Sequence, residues 1–474
     1  MIEPKGVARR RLFDELAPTR DKWKARYPTY HREIERLCRH LIPPGASVLE
    51  IGSGTGDLLH ALRPRQGLGI DLSPRMVEIA RKKYPELEFA VGDAEALDLR
   101  ERFDYVLLSD LVGHLDDVWS AFRNLRQVCH AATRVVVTYY NHLWEPALRL
   151  AERLGLKLPQ AMQNWLPPQD LINLAVVTGF EPLKQGYWLL CPVGIPLVAP
   201  LANRVLAHLP ALRRLDLVHY LVARPEPQPR APRLFTCSVV VPCRNEVGNI
   251  AKTVSRIPAM GARTEVIFVD GDSTDGTPEE IEAAIERFRG APEIRLIRQV
   301  PATGKGDAVR RGFAAATGDV LMILDADLSV MPEDLQKFYL ALAEGRGEFV
   351  NGSRLVYAME GQAMRSLNLL ANKIFGALFS WLLEQRIRDT LCGTKALLRE
   401  DYQRIAANRG AFGESDPFGD FDLLFGAANL SMKIVEMPVR YHERTYGQTK
   451  IRRFYHGWLL LKTFLKAMRR LRFL

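Results

Sequence analysis

The chain has 474 residues, more than a single hydrophobic core usually organises, so two large domains are expected. Its 47% hydrophobic and 25% charged residues give the balance of a globular protein and exclude a disordered or fibrous chain. The net charge of +10 suits an anionic partner, whether nucleic acid, nucleotide phosphate or an acidic membrane surface, and does not choose among them.

Charged residues (Glu3, Lys5 and Arg9 to Arg11) follow Met1 where an export signal would be apolar, so a cytoplasmic location is expected. Six scattered cysteines form no Cys-x-x-Cys pair and have no histidine at zinc-ligand spacing, which fits a reducing compartment. In the first half, residues 47–51, 67–70, 103–108 and 134–139 read as strands separated by stretches long enough for crossover helices. Residues 185–203 contain no charge. Pro192, Pro196 and Pro200 interrupt them, so buried or interfacial packing is expected in place of a bilayer crossing.

The clearest break is Arg224-Pro-Glu-Pro-Gln-Pro-Arg-Ala-Pro232, whose prolines favour extended chain. Beyond it, residues 237–242, 265–269, 294–298 and 320–324 read as a second set of strands. The fold expected is therefore α/β, two domains each built on a parallel sheet with ligands at the carboxyl ends of its strands. The boundaries read as 1–223, a linker 224–234, 235–455, and a C-terminal helix 456–474.

The string Val48-Leu-Glu-Ile-Gly-Ser-Gly-Thr-Gly56 ends a strand in a turn where Gly52, Gly54 and Gly56 recur at every second position, letting backbone approach a ligand closely. This spacing, with Glu50 before it, departs from the dinucleotide fingerprint and disfavours nicotinamide. Asp71 ends the next strand, where a carboxylate can accept hydrogen bonds from both ribose hydroxyls. Asp93 and Ala94 stand at a further strand end, the acid suited to an exocyclic adenine amine. Residues 25–223 thus resemble the class I S-adenosylmethionine-dependent methyltransferases. The resemblance implies that Glu50 and the three glycines face the methionine part of S-adenosylmethionine, Asp71 the ribose and Asp93 the adenine with Ala94 beside it. It implies that Asp110 borders the methyl-transfer site. His114 is a candidate base, and Tyr139, Tyr140, Asn141 and His142 could line an acceptor pocket.

In the second half, Ser238-Val-Val-Val-Pro-Cys-Arg-Asn-Glu246 ends a strand in polar residues, and Val266-Ile-Phe-Val-Asp-Gly-Asp-Ser-Thr-Asp-Gly-Thr277 runs into a carboxylate-rich turn. Val320-Leu-Met-Ile-Leu-Asp-Ala-Asp327 ends a third strand with two acids flanking Ala326, a pair able to share a hard divalent cation with a diphosphate. These strings look like the family 2 glycosyltransferases of GT-A fold, over residues 236–455, and are most similar to the dolichyl-phosphate and polyprenyl-phosphate sugar transferases. The resemblance implies that Pro242, Arg244, Glu246, Asp270 and Asp272 hold the nucleoside of a UDP- or GDP-sugar. It further implies that Asp325 and Asp327 hold Mg²⁺ or Mn²⁺, and that Gly304-Lys305-Gly306 is the family's loop before the helix leading to the metal strand. Asp389-Thr-Leu-Cys-Gly-Thr-Lys395 resembles the acceptor-side segment. Arg444-Thr-Tyr-Gly-Gln-Thr-Lys450 resembles a closing loop in which Arg444 and Lys450 pair with phosphate oxygens. Asp420 and Asp422 stand where many members carry a base; a lipid phosphate would not need one, whereas a sugar hydroxyl would.

Residues 368–384 are strongly apolar, and 456–474 set Lys462, Lys466, Arg469 and Arg470 opposite Trp458, Leu461, Leu465 and Met468, a pattern suited to an anionic membrane surface. The expected whole is a bifunctional enzyme, peripheral at the cytoplasmic face, moving a sugar with inversion to a polyprenyl phosphate and a methyl group to a glycan, lipid or small acceptor. One alternative is sugar transfer to a hydroxyl of a polysaccharide or glycolipid. Another is a nucleic-acid methyltransferase with a silent second domain, against which no aromatic-basic RNA-reading motif is found. A third, a scaffold without activity, predicts no binding of either cofactor.

Overall fold

The computed structural model describes residues 5–158, 163–227, 233–290, 292–354, 366–408, 421–442, 446 and 453–471. In the first half the apolar runs become β1 (Ser47–Ile51), β2 (Gln66–Asp71), β3 (Glu88–Val91), β4 (Phe103–Ser109) and β5 (Cys129–Tyr140), followed by β6 (Phe180–Trp188) and β7 (Val218–Pro225). They form one sheet in the order β3-β2-β1-β4-β5-β7-β6. Strand β1 runs parallel to both β2 and β4 and is buried at all its residues, the reason Val48, Leu49 and Ile51 are apolar on both of its faces. Leu49, Ile51, Val106 and Leu108 pack one face of the sheet, and Val48, Tyr105 and Leu107 the other. Between β2 and β3 the crossover helix Pro74–Lys83 begins where the Ser73 hydroxyl accepts the Met76 N–H at 3.2 Å and Pro74 fills the first turn.

The sheet is mixed, which corrects the expectation of a parallel one. Strand β7 returns between β5 and β6 and pairs antiparallel with both. Pro182 and Lys184 flank a register shift in the edge strand β6, and Arg224 of β7 is neutralised by Glu181 at 2.8 Å. Polar residues such as Lys184 and His219 interrupt the apolar pattern of these strands.

The second half repeats the pattern with β8 (Thr236–Cys243), β9 (Arg263–Asp270), β10 (Glu293–Arg298), β11 (Val320–Ile323), β12 (Phe349–Ser353), β13 (Lys395–Leu398) and β14 (Ile434–Pro438). Their order is β10-β9-β8-β11-β13-β12-β14. Strands β9, β8 and β11 are parallel neighbours, whereas β13 runs antiparallel to β11 and β12, so this sheet too is mixed. Val240, Ile267 and Leu321 pack against an aromatic group that includes Phe379, Phe421, Phe425 and Phe464. Val239, Phe268 and Met322 pack on the other face with Ile250 and Phe338.

Two compact units result, one running to Glu226 and the other spanning Pro227–Leu471. The last helix, Arg453–Leu471, buries Phe464 and Ala467 in the second core, with Phe464 set edge-on to Phe379 at 5.6 Å between centroids. Its packed stripe therefore differs from the expected one: Trp458 and Leu465 face solvent. Among the described residues, no helix is long and apolar enough to cross a membrane.

Candidate active sites

The turn after β1 is built on left-handed backbone at Gly52, Gly54 and Gly56, with φ of +78°, +53° and +81°. The Gly54 N–H donates to Asp71 Oδ2 at 2.8 Å, and the Ser73 N–H to Oδ1 at 2.9 Å, so the strand-end carboxylate is gripped by two backbone amides. Even so, burial raises the proton affinity of Asp71. Glu50 lies 3% exposed with Oε2 unpartnered, and burial pushes its carboxyl up to about 8. Asp110, after β4, takes a left-handed φ of +53°; its Oδ2 accepts the Tyr30 hydroxyl at 2.6 Å, while its buried Oδ1 has no partner. Burial raises this acid as well. Three carboxylates therefore surround the turn with their charge under-compensated, a donor set that fits a cationic ligand such as an ammonium or a sulfonium.

Residues ahead of β1 lie across this turn. In the helix Lys5–Leu16, Arg9 pairs with Asp93 at 3.2 Å and Glu95 at 2.5 Å, and Phe13 stands edge-on to His114 at 5.5 Å. Asp14 accepts the Ser73 hydroxyl at 2.5 Å, and Lys24, in the next helix, reaches Thr55 at 2.9 Å and Asp57 at 2.5 Å. Tyr30, in the helix Pro28–Leu41, stacks on Tyr140 at 5.7 Å. His114 is lowered to about 4 by burial and by the cations Arg20 and Lys157, so it is neutral near pH 7. Ala94 is buried beside Asp93. Asn141 is spent on structure, holding the carbonyls of Arg214 and Asp216 at 2.9 Å each. The strap residues Arg9, Lys24 and Tyr30 have no local spacing signal in the sequence, since their partners lie 31 to 105 residues away.

In the second unit the turns after β8 and β9 lock together. The Asn245 N–H donates to the Ser273 hydroxyl and the Thr274 N–H to Asn245 Oδ1, each at 2.9 Å, with Asn245 and Asp272 both at positive φ. Asp270, 2% exposed, accepts the Ser273 hydroxyl and N–H; Glu246 accepts Asn249 Nδ2 at 2.7 Å. Pro242 is half-buried and Arg244 exposed at this edge. The ring of Tyr446, in the closing loop, lies over Gly248, where a β-carbon would stand 2.8 Å from Cδ2.

Lys305, first residue of the helix Lys305–Ala315, pairs with Asp325 at 2.7 Å. Gln299 sets that helix start by donating to Thr303 at 2.9 Å, the Gly304 carbonyl at 3.1 Å and Asp307 at 2.8 Å. Gly393 closes over the pair: a β-carbon there would meet Asp325 Oδ2 at 2.1 Å and Lys305 Nζ at 2.6 Å, so any larger residue would displace the two side chains. Asp327 is 7% exposed and takes the Ser329 N–H at 3.0 Å. Among the described residues no third His, Cys, Asp or Glu joins a metal-holding group. Two strand-end carboxylates alone suit an ion that draws its remaining ligands from a diphosphate and water, as Mg²⁺ does.

Asp389 is fully buried in a two-pronged ion pair with Arg354, Nε to Oδ2 at 2.8 Å and Nη2 to Oδ1 at 2.9 Å. The guanidinium lies 5.0 Å over the ring of Tyr441, which bridges Val330 just past Asp327. Asp389 thus reaches the strand-end loop through Arg354, a residue that sequence reasoning missed. Behind it, buried Lys395 donates to Asn351 Oδ1 and the Cys392 carbonyl, both at 2.8 Å. Asp422 is 9% exposed in the first turn of the helix Phe421–Asn429. Asp420, Arg444 and Lys450 lie outside the described residues.

Residues 238–405 match the family model described as glycosyl transferase family 2, and residues 23–185 one described as a methyltransferase domain. A dolichyl-phosphate hexose transferase of Haloferax volcanii is 33% identical over 235 residues, 48% of this chain and 92% of that protein. A dolichol-phosphate mannosyltransferase of Pyrococcus furiosus is 29% identical over 223 residues, 45% of this chain; the match spans 59% of that relative's length. Among solved structures, a methyltransferase of Thermotoga maritima described as a possible histamine N-methyltransferase is 19% identical, with a TM-score of 0.37 over 46% of this chain and 99% of that one. With a relative matched over nearly its whole length and both family models placed on separate sheets, the chain belongs to family 2 of the glycosyltransferases and carries a methyltransferase domain ahead of the GT-A fold.

Proposed function

We propose that the second unit transfers a sugar from a UDP- or GDP-linked donor to a polyprenyl or dolichyl phosphate, and that the first transfers the methyl group of S-adenosylmethionine to a glycan or lipid acceptor of the same pathway. The observation that carries the first half of this reading is the Lys305–Asp325 pair sealed by Gly393 beside Asp327, a balanced site at the carboxyl end of β11. The names of the curated relatives support a lipid phosphate as acceptor.

In this reading Pro242, Arg244, Glu246, Asp270 and Asp272 hold the nucleoside, and Lys305 presents its ammonium where the diphosphate lies. Asp325 and Asp327 would hold Mg²⁺ or Mn²⁺, which supplies charge neutralisation for the departing nucleoside diphosphate. A lipid-phosphate oxygen attacks the anomeric carbon from the opposite face as the sugar–diphosphate bond breaks, so configuration inverts. That oxygen is already ionised near pH 7, and no base is needed. Asp389 then acts as a positioning residue through Arg354. Arg444 and Lys450 pair with phosphate oxygens, and Asp420 and Asp422 order the acceptor side.

In the first unit, Glu50 with the Gly52, Gly54 and Gly56 turn takes the methionine end of the cofactor, Asp71 the ribose and Asp93 the adenine. S-adenosylmethionine brings an activated methyl group, and Asp110 and neutral His114 border the place where an acceptor receives it. Exposed Trp458 and Leu465 beside Lys462, Lys466 and Arg469 support peripheral contact with an anionic membrane.

The test is incubation with Mg²⁺ or Mn²⁺, short-chain polyprenyl phosphate and labelled UDP- and GDP-sugars, comparing wild type with Asp327→Ala. Labelled lipid that the substitution reduces by about a thousandfold is expected. No lipid product with any donor would remove the lipid-phosphate reading and direct the search to hydroxyl acceptors with Asp420 as base.

A further inference from the structure

An apolar arm projects from the first unit and takes part in neither site. Asn203, 3% exposed, clasps its base: Oδ1 accepts the Cys191 N–H at 2.7 Å and Nδ2 donates to the Cys191 carbonyl at 2.8 Å. Two tight turns shape the chain between, the Val193 carbonyl accepting from Ile195 N–H at 2.9 Å and the Pro196 carbonyl from Val198 N–H at 2.7 Å. Leu197 at the tip sits at φ +63°, in the left-handed region that leucine disfavours, and is 87% exposed. Around it Val193, Ile195, Val198 and Leu201 are each 46% to 61% exposed. A contiguous aliphatic surface of this kind marks a contact site.

The charge pattern identifies the occupant. From Gln185 to Leu215 the sequence contains no aspartate or glutamate, and its only charged residues are Arg204, Arg213 and Arg214. Arg204 and Arg214 are exposed. Exposed aliphatic side chains and prolines in a segment whose only charges are arginines match what a bilayer surface takes up, acyl chains beneath anionic headgroups. Residues 193–201 contain none of the aromatic residues or methionines in which the cores of protein interfaces are enriched.

We propose that residues 193–201 form a docking arm that seats the first unit on an anionic lipid bilayer, the aliphatic tip entering the headgroup boundary and Arg204 and Arg214 meeting lipid phosphates. Gly194 lies against the helix that carries Tyr30: a β-carbon there would stand 2.7 Å from Thr29 Oγ1, and the Tyr30 hydroxyl donates to Asp110. Docking would therefore bring that side of the unit toward the membrane. The arm's role does not depend on which molecule is methylated.

The full chain is floated with vesicles of phosphatidylcholine, with and without phosphatidylglycerol, for wild type, Leu197→Asp/Leu201→Asp, and Val177→Asp as a control at another exposed aliphatic, 69% exposed. Near-ultraviolet circular dichroism confirms that each variant is folded. Wild type and control are expected to partition onto anionic vesicles and to come off as salt rises, and the double variant to lose about tenfold in partition. Equal partition of the double variant would overturn the proposal, leaving membrane contact to the C-terminal helix. So would absence of binding to both vesicles, or self-association in sedimentation that the double variant abolishes, which would assign the arm to a second copy of the chain.

Discussion

At the methyl-donor turn Glu50, Asp71 and Asp110 are buried with their proton affinity raised, and the neighbouring cations are spent on flanking acids: Arg9 on Asp93 and Glu95, Lys24 on Asp57. At the sugar-donor strands the acids are answered one by one, Asp270 by Ser273, Asp325 by Lys305 and Asp389 by Arg354. Both sites stand at the carboxyl ends of parallel strands and both are rich in aspartate, yet one holds desolvated carboxyls whose proton affinity is raised and the other keeps a cation beside its acid. The difference follows the ligands proposed for them. A sulfonium with an ammonium brings positive charge into the first, whereas a nucleoside diphosphate brings negative charge into the second and requires that the acids be balanced beforehand.

That contrast breaks most severely if the balanced side is unbalanced. Arg354→Ala leaves Asp389 buried and unpaired, and the second unit should lose about 3–5 kcal/mol in chemical denaturation. Adding Asp389→Asn should restore much of it, and Arg354→Lys should restore less, because an ammonium cannot make the two-pronged contact. A silent Arg354→Ala would mean that the charge balance there is not structural. A smaller effect tests placement alone: Gly393→Ala drives a β-carbon into Asp325 and Lys305, and kcat/KM for sugar transfer should fall about a hundredfold with the melting temperature little changed. Unaltered kinetics would detach that pair from the reaction.

The mildest effect sharpens the other side. Glu50 and Asp216 hold their protons to about 8 when folded, against 4.5 and 3.8 otherwise, so above roughly pH 5 the folded chain binds more protons and loses stability as pH rises, by up to about 1.4 kcal/mol per pH unit for each group. His31, His114 and His219, lowered to about 4, favour the folded state increasingly as pH rises, but only up to their ordinary 6.5. Protection of β1 and β4 against hydrogen exchange should therefore peak near pH 6.5 and decline toward pH 8. Glu50→Gln with Asp216→Asn should flatten the decline; an unchanged slope would show that these two groups are not its source.

The strands that carry the strand-end acids were legible because they are buried and consist of apolar runs that stop at a carboxylate, as β2, β9 and β11 do. Strands β6, β7, β12 and β13 were not, since Pro182, Lys184, His219, Gly352 and Lys395 interrupt the pattern. Lys395, for example, is fully buried because Asn351 and the Cys392 carbonyl receive it. These returning strands also turned two expected parallel sheets into mixed ones. At the sites, spacing revealed the acids and glycines of each turn. It could not reveal Arg354 or Tyr30, whose roles arise from ion pairs and hydrogen bonds closed over 35 and 80 residues. Nor could it show that Asn141 supports backbone carbonyls.

The strap ahead of β1 has a consequence for the order in which the chain becomes structured. Arg9 leaves the ribosome before any of its acceptors, and Asp93, Glu95 and the His114 carbonyl follow 84 to 105 residues later. Its docking therefore closes a long loop, and the helix that carries it adds no strand to the sheet. The methyl-donor turn should thus be reachable by local detachment of the strap while the sheet beneath remains folded.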